Sequence, residues 1–369
     1  MGRQAKYRQV ADSVLAGLRR EGAGPGYKLP NVRDLARTHG TSVFTVTKAL
    51  DLLEARGIVD RRWAVGCFLS RKGLRELRDS FSPAIGILLH PHRVLGDGWT
   101  QGLLSALLDA IRAAGAQPVY ASWTPDMELP ARLDGLVADP TPVFEAPEFA
   151  GTPSAMGWLR KVAASGFPVV TVDFHIPEAA AVEIDNAGGA YQLGRYLVQL
   201  GHREICYRGE PGWANSDERL AGLRKALAEA GIPHDDSLVW QGPAKPREAM
   251  REFPARYASR PFSAVCCFED LAAAGIVRAA LDMGLRIPED LSVAGFGNLT
   301  LGEFAALPVT TVDVQQGELA RQAVRLLFEM VRTGKSSPAR VRVPAQLLVK
   351  QTTGPLAPIR RAIRPSHGR

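Results

Sequence analysis

The sequence predicts a multidomain protein: an N-terminal winged helix-turn-helix followed by a two-lobed α/β body with parallel sheets and helices on both faces. Three observations point there. Residues 1–70 hold three short apolar-periodic segments and then a basic hairpin. From residue 84 to about 354, continuous apolar runs of strand length alternate with amphipathic stretches, in two sets of similar size. Charge changes sign between the two regions: residues 1–80 carry 16 Lys/Arg against 8 Asp/Glu, and residues 81–354 carry 25 against 30. A basic head on a mildly acidic body suits a polyanion-binding module joined to a neutral partner. A length of 369 residues at 46% hydrophobic content allows two or three cores.

In the head, Tyr7, Val10, Ala11, Val14, Leu15 and Leu18 recur at helical spacing. The turn "GAGPGYK" ends that helix, and its glycines neither follow a strand nor open a helix, so they are not a phosphate loop. Asn31 is the expected N-cap of a second helix, in which Val32, Leu35 and Ala36 face inward until Gly40. After the short step Thr41-Ser42 comes a third helix, with Val43, Val46, Leu50 and Leu53 inward and Gly57 at its end. "IVDRRW" and "CFLS" alternate around "AVG" as a hairpin. In such a fold the third helix enters the major groove of double-stranded DNA. Its free face carries Phe44, Thr45, Thr47 and Lys48, with small hydroxyls for phosphates or base edges and an apolar group for a thymine methyl. Arg61 and Arg62 on the hairpin are expected to reach flanking backbone or the minor groove.

"LPNVRDLARTHGTSVFTVTKALDLLEARGIV" with the "RRWAVGCFLS" wing resembles the gluconate-repressor (GntR) family of bacterial transcription factors over about residues 5–70. The resemblance implies DNA contacts by Arg33, Ser42, Thr45 and Thr47. Val43 and Thr47 stand where that family commonly places arginines, so its operator sequence does not transfer. The segment 71–83 is a charged linker closed by Pro83, either a short helix or a tether.

In the body, ligands of parallel sheets sit beyond strand C-termini. That singles out His90, Asp173, Glu269, Asp270, Gly297 and Asn298, with Trp99 and Trp213 as candidates for stacking on a ring. Helix capping is the lesser reading for Asp173 and Asp270, whereas Asp185-Asn186 reads as a cap of the following helix. The stretches "VEIDNAGGAYQLGRYLVQLGHREICYRGEP", "RLAGLRKALAEAGI" and "LRIPEDLSVAGFGN" are similar to the effector domain of the lactose/galactose-repressor family, over roughly residues 84–354. The resemblance implies a periplasmic-binding-protein-like fold with three crossovers and a hinged cleft, usually dimeric. It carries Asp173, Arg219 and Asp270 over as ligand contacts, suited to polyhydroxylated compounds. The chain departs from that family at Gly297, where a carboxylate is usual, at Glu269, where Asn is common, and at Lys350-Gln351-Thr352, where an Arg is usual.

No apolar run approaches the roughly 18 residues needed to cross a bilayer, and the N-terminus has no signal-like apolar core, so a cytoplasmic location is expected. Lys6 occupies the position where a myristoylation motif needs Ser or Thr. Cys67, Cys206, Cys266 and Cys267 form no C-x-x-C pair and read as buried thiols; no metal and no cofactor is expected. Residues 355–369 form a basic tail with four arginines and no acid. The sequence expectation is a homodimeric repressor that leaves a palindromic operator when a sugar or sugar derivative closes the body. An enzyme-like body on the same head, or a transport-associated binding protein, is the alternative.

Overall fold

The computed structural model describes residues 3–20, 26–62, 65–70, 73, 83–89, 98–122, 129, 133–139, 155–243, 245–299, 306–334, 336 and 338–356. The chain divides into two units, Met1–Ser82 and Pro83–Arg369.

The first unit runs α1 (Arg3–Arg20), α2 (Val32–Thr38), α3 (Val43–Ala55), β1 (Val59–Arg62) and β2 (Gly66–Leu69). Val10, Val14 and Leu18 of α1 meet Leu35 of α2 and Val46, Leu50 and Leu53 of α3 in one core. Asn31 caps α2, its Oδ1 accepting from Asp34 N at 3.0 Å. Ser42 caps α3, its Oγ accepting from Thr45 N at 3.2 Å. β1 and β2 pair antiparallel as the wing, with Val59 opposite Leu69 and Arg62 opposite Gly66. One expectation fails. Val43 is 48% exposed, because the inward stripe of α3 begins a turn later, at Val46, and the first turn projects past it. The linker lies almost wholly outside the described residues; only Gly73, with N donating to Ser70 Oγ at 2.7 Å, and the closing Pro83 are placed. The basic tail beyond residue 356 also lies outside them.

The second unit continues with β3 (Ala84–Leu89), α4 (Gly98–Ala113), β4 (Gln117–Ser122), β5 (Gly135–Ala138), α5 (Ala155–Ala164), β6 (Val169–Val172) and β7 (Ala180–Ile184). Then come α6 (Asn186–Gln199), β8 (Ile205–Gly209), α7 (Ala214–Glu229), β9 (Val239–Gln241), α8 (Pro246–Ser259), β10 (Ala264–Cys267), α9 (Asp270–Asp282) and β11 (Ser292–Ala294). It closes with β12 (Thr311–Asp313), α10 (Gln316–Thr333), β13 (Arg340–Val343) and β14 (Gln346–Leu348).

The strands form one lobe in the order β13-β7-β6-β5-β3-β4 and a second in the order β11-β10-β8-β9, every adjacent pair being parallel. Such sheets are buried on both faces, which accounts for runs such as "VVTV" and "AVCC" with no polar alternation. The antiparallel pair β12–β14 extends the second lobe through bridges from Thr310 to Ala294 and from Asp313 to Gly297. The chain therefore passes between lobes after β7, after β12 and after β13. His202 of "LGHR" is buried, with Nδ1 at 2.9 Å from Ser263 Oγ and Nε2 at 3.1 Å from Gly354 O. It pins the final segment to the second lobe. Among the described residues no helix is long and apolar enough to cross a membrane.

α6 and α7 approach closely because Gly222 has no side chain: a Cβ there would lie 2.2 Å from Ala187 O. Gly222→Ala is expected to destabilise the second unit by about 1–3 kcal/mol through overpacking. Thermal or urea unfolding of the full chain reads this as a lowered midpoint.

Candidate functional site

The exposed face of the first unit is built on α3. Phe44 is 68% exposed, and Lys48 Nζ sits 5.1 Å from its ring centroid. Ser42 Oγ and Thr45 Oγ1 lie 2.9 Å apart, and Thr47 Oγ1 donates to Val43 O at 2.9 Å. Arg33 is exposed on α2. Arg62 stacks on Phe68 of the wing, with Cζ 4.7 Å from the ring centroid. Arg61 departs from its expected role. It folds back on α3, donating from Nη1 to Asp51 Oδ1 at 2.7 Å and from Nη2 to Thr47 O at 3.1 Å, with Glu54 Oε2 3.6 Å from its Nε. Three acceptors on α3 hold it, so it braces the wing against that helix and leaves Arg62 as the outward cation of the pair.

The second unit holds a cavity of 370 Å³ between its lobes, a size suited to a small molecule. Trp99, Asp173, Trp213, Arg219 and Glu269, all singled out in the sequence, line it together with Gly297. His90 lies outside the described residues. Asp270 and Asn298 are at the expected strand ends but turn away. Asp270 is buried and its Oδ2 accepts from Leu299 N at 2.7 Å, while Asn298 Oδ1 accepts from Lys350 Nζ at 3.1 Å. Both carboxamide and carboxylate are thus occupied in shaping the loop after β11. Asp185 caps α6, with Oδ1 accepting from Gly188 N at 3.0 Å. Gly297 adopts a φ of 118°, which a side chain strongly disfavours. The sequence reading missed Glu210, Asn215, Lys245, Phe268 and Phe296. The last two carry no sequence signal separating a cavity wall from a core; Lys245 and Glu210 sit in loops where a lone charge is unremarkable.

Arg219 is the centre of the cavity wall. It is only 6% exposed, and its Cζ lies 3.8 Å from the ring centroid of Phe296 and 4.6 Å from that of Phe268. Nε donates to Asn186 Oδ1 at 2.9 Å and Nη1 to Phe268 O at 2.5 Å. Across from it, Asp173 follows β6 with a left-handed φ of 57°, and Asn215 Nδ2 reaches its Oδ2 at 3.4 Å. Burial pushes the Asp173 carboxyl up to about 7, the Arg219 charge pulling it down and Asp139 pushing it up. Asp139, at the end of β5, is itself buried and accepts from Trp99 Nε1 at 3.0 Å.

Since the folded state raises Asp173 above its ordinary value of 3.8, the residue weakens folding progressively as pH climbs from about 4 to 7 and above. Asp173→Asn is therefore expected to melt close to the parent protein at pH 4.5 and at a higher temperature than the parent at pH 8. Thermal melts across that range check the sign; a difference independent of pH contradicts it.

Residues 6–69 match the gntR family of bacterial regulatory proteins, and residues 195–353 match the periplasmic binding protein-like domain. The regulator DegA of Bacillus subtilis is 30% identical over 205 residues, 55% of this chain and 61% of that protein. The repressor PurR of Escherichia coli is 33% identical over 202 residues, 53% of this chain and 59% of that protein. The chain thus spans about three fifths of the length of the curated relatives it matches. In fold it is similar to a LacI-family regulator from Enterococcus faecium with bound ribose, at a TM-score of 0.61 and 21% identity, over 74% of this chain and 99% of that one. The winged helix-turn-helix is thus similar to the gntR family of bacterial regulatory proteins, and residues 195–353 of the second unit to a periplasmic binding protein-like domain.

Proposed function

We propose that the protein is an effector-responsive transcriptional repressor of the cytoplasm, binding operator DNA as a homodimer and releasing it when a small molecule closes the second unit. The observation that carries this reading is the presence in one chain of a basic helix-turn-helix with Phe44 and Lys48 outward on α3 and a cleft built around a buried Arg219. Phe44 and Lys48 pair on the outward face of α3, and Arg219, held by Asn186 and Phe268 O, keeps one nitrogen for the cavity. The relatives named regulator and repressor support the reading, as does the ribose-bound neighbour.

The mechanism follows from these parts. Arg33, Ser42, Thr45 and Thr47 serve as DNA contacts, with Phe44 against a thymine methyl and Lys48 and Arg62 on phosphates. Two heads in a dimer ask for a rough palindrome with half-sites one or two helical turns apart. In the cleft, Trp99 and Trp213 flank a ligand whose hydroxyls are shared between Asp173, Arg219 and Glu269. A ligand that favours the closed form by about 1–3 kcal/mol changes operator affinity by about 5- to 150-fold.

Gel retardation with the chromosomal DNA of the source organism, over a metabolite panel, tests the function; a chain that retards no duplex at low salt refutes it. Lys48→Ala is expected to weaken retardation on all sequences and to lower the slope of log affinity against log salt by about one. Arg219→Ala is expected to keep retardation and lose the response to effector.

A further inference from the structure

Three helices of the second lobe begin at the cavity, and each contributes both its N-cap and a first-turn residue to the wall: Trp213 and Asn215 of α7, Lys245 and Pro246 of α8, Glu269 and Leu271 of α9. None of the three N-cap side chains bonds back to its helix. The positive ends of three helix dipoles thus meet at one wall, with free leading N–H groups fewer than three helices would offer, since Pro246 has none and Asp270 N donates to Phe296 O at 3.2 Å.

A second observation concerns side chains. Arg219 lines the same cavity, is more than nine-tenths buried, and spends Nε and Nη1 on Asn186 and Phe268. Its Nη2 has no partner among the described residues, and neither Arg219 nor Lys245 forms an ion pair there. The carboxylates offset this only in part, Asp173, Glu269 and Asp270 acting on the Arg219 charge. Glu210 and Glu269 are already engaged within the protein, and Asp173 is held toward its neutral form by burial and by Asp139. Behind the rim, Arg208 is fully buried, stacked 5.0 Å from the Trp240 centroid, and donates to Gly242 O at 2.9 Å and Pro243 O at 2.5 Å. It anchors the segment that delivers Lys245 and adds a further cation with no carboxylate partner among the described residues.

Resting on the reading of the cleft as an effector site, we infer that its ligand carries an acidic group, a carboxylate or a phosphate, seated on Arg219 Nη2, Lys245 and the N-termini of α7, α8 and α9. An anion there gains charge-assisted hydrogen bonds from groups that otherwise face the cavity unpaired. The hydroxyl-bearing remainder of the ligand then faces Asp173 and the two tryptophans.

The test is a thermal-shift and tryptophan-fluorescence titration of the full chain with matched sets. Glucose, gluconate, glucuronate, glucose 6-phosphate and glucosamine form one set; ribose, ribonate and ribose 5-phosphate form the other. At least one acid is expected to raise the melting temperature at concentrations where its neutral parent does not. The carboxylate and phosphate arms show which anion is taken. Lys245→Gln, at an exposed rim position, is expected to weaken that acid by about 10- to 100-fold and to leave the melting temperature of the empty protein unchanged. A neutral sugar or the amine binding as tightly as the acids overturns the inference, and so does a panel in which no acid has an effect. A neutral sugar that binds and releases DNA removes this inference while the repressor reading stands; an acid that binds without affecting DNA does the reverse.

Discussion

Everything in the second unit is arranged around the desolvated guanidinium of Arg219. Sinking a guanidinium into apolar surroundings costs several kcal/mol unless its protons are satisfied. Here the offset comes from the Asn186 amide, the Phe268 carbonyl and two aromatic faces. Those partners belong to the start of α6, the end of β10 and the loop after β11. A single side chain thereby fixes three elements of the second lobe relative to one another and leaves one nitrogen for the cleft. Because Asn186 immediately follows the first passage between lobes, the same bond ties ligand binding to the hinge.

The hinge is narrow. Asp185 N donates to Val343 O at 2.9 Å, which joins the first passage to the third. Gln315, in a left-handed conformation with φ 54°, donates from Nε2 to Pro344 O at 2.5 Å, which joins the second to the third. Gln192 Nε2 reaches Ala345 O at 3.0 Å. The three connections are thus cross-tied and rotate as a set, which restricts lobe motion to opening and closing about a few residues. A cleft on such a hinge converts the presence of a ligand into one movement instead of many.

Most of this was legible in the sequence because periodicity reports burial. The stripes of α1 and α3, the alternation of the wing and the unbroken apolar strands of the body all follow from which faces meet a core. Side-chain direction is a different matter. Asp270 and Asn298 are where strand ends predicted functional groups, yet a single backbone N–H from Leu299 and the ammonium of Lys350 turn them from the cavity. Arg61 reads as a phosphate contact until Asp51, ten residues away in sequence, holds it on α3. Val43 satisfies the helical period but lies beyond the end of the partner surface. In each case the presence or absence of a partner from another segment decides the outcome, and a one-dimensional pattern contains no record of it. Lys245 went unread for the converse reason: its place at the rim depends on Arg208, whose own position inside the lobe looks anomalous in a strand of buried residues.

The two walls of the cleft differ in electrical character, and this difference gives closure its logic. The first lobe presents Asp173 backed by Asp139, two carboxylates at neighbouring strand ends with Trp99 as a donor. The second presents Arg219, Lys245 and the starts of three helices, with the carboxylates of Glu210 and Glu269 among them. Each wall alone is poorly satisfied: Asp173 is driven toward its protonated form by burial, and among the described residues Asn215 Oδ1 has no hydrogen-bond partner. Bringing the walls together strengthens the attraction between them as water leaves. The contact of Asn215 with Asp173 already spans the gap at 3.4 Å, long enough to be a weak bond on its own. A ligand that donates to the carboxylate side and accepts from the cationic side completes both walls at once. Only the part of the affinity for such a ligand that differs between open and shut lobes drives closure, so a ligand that meets one wall alone shifts nothing.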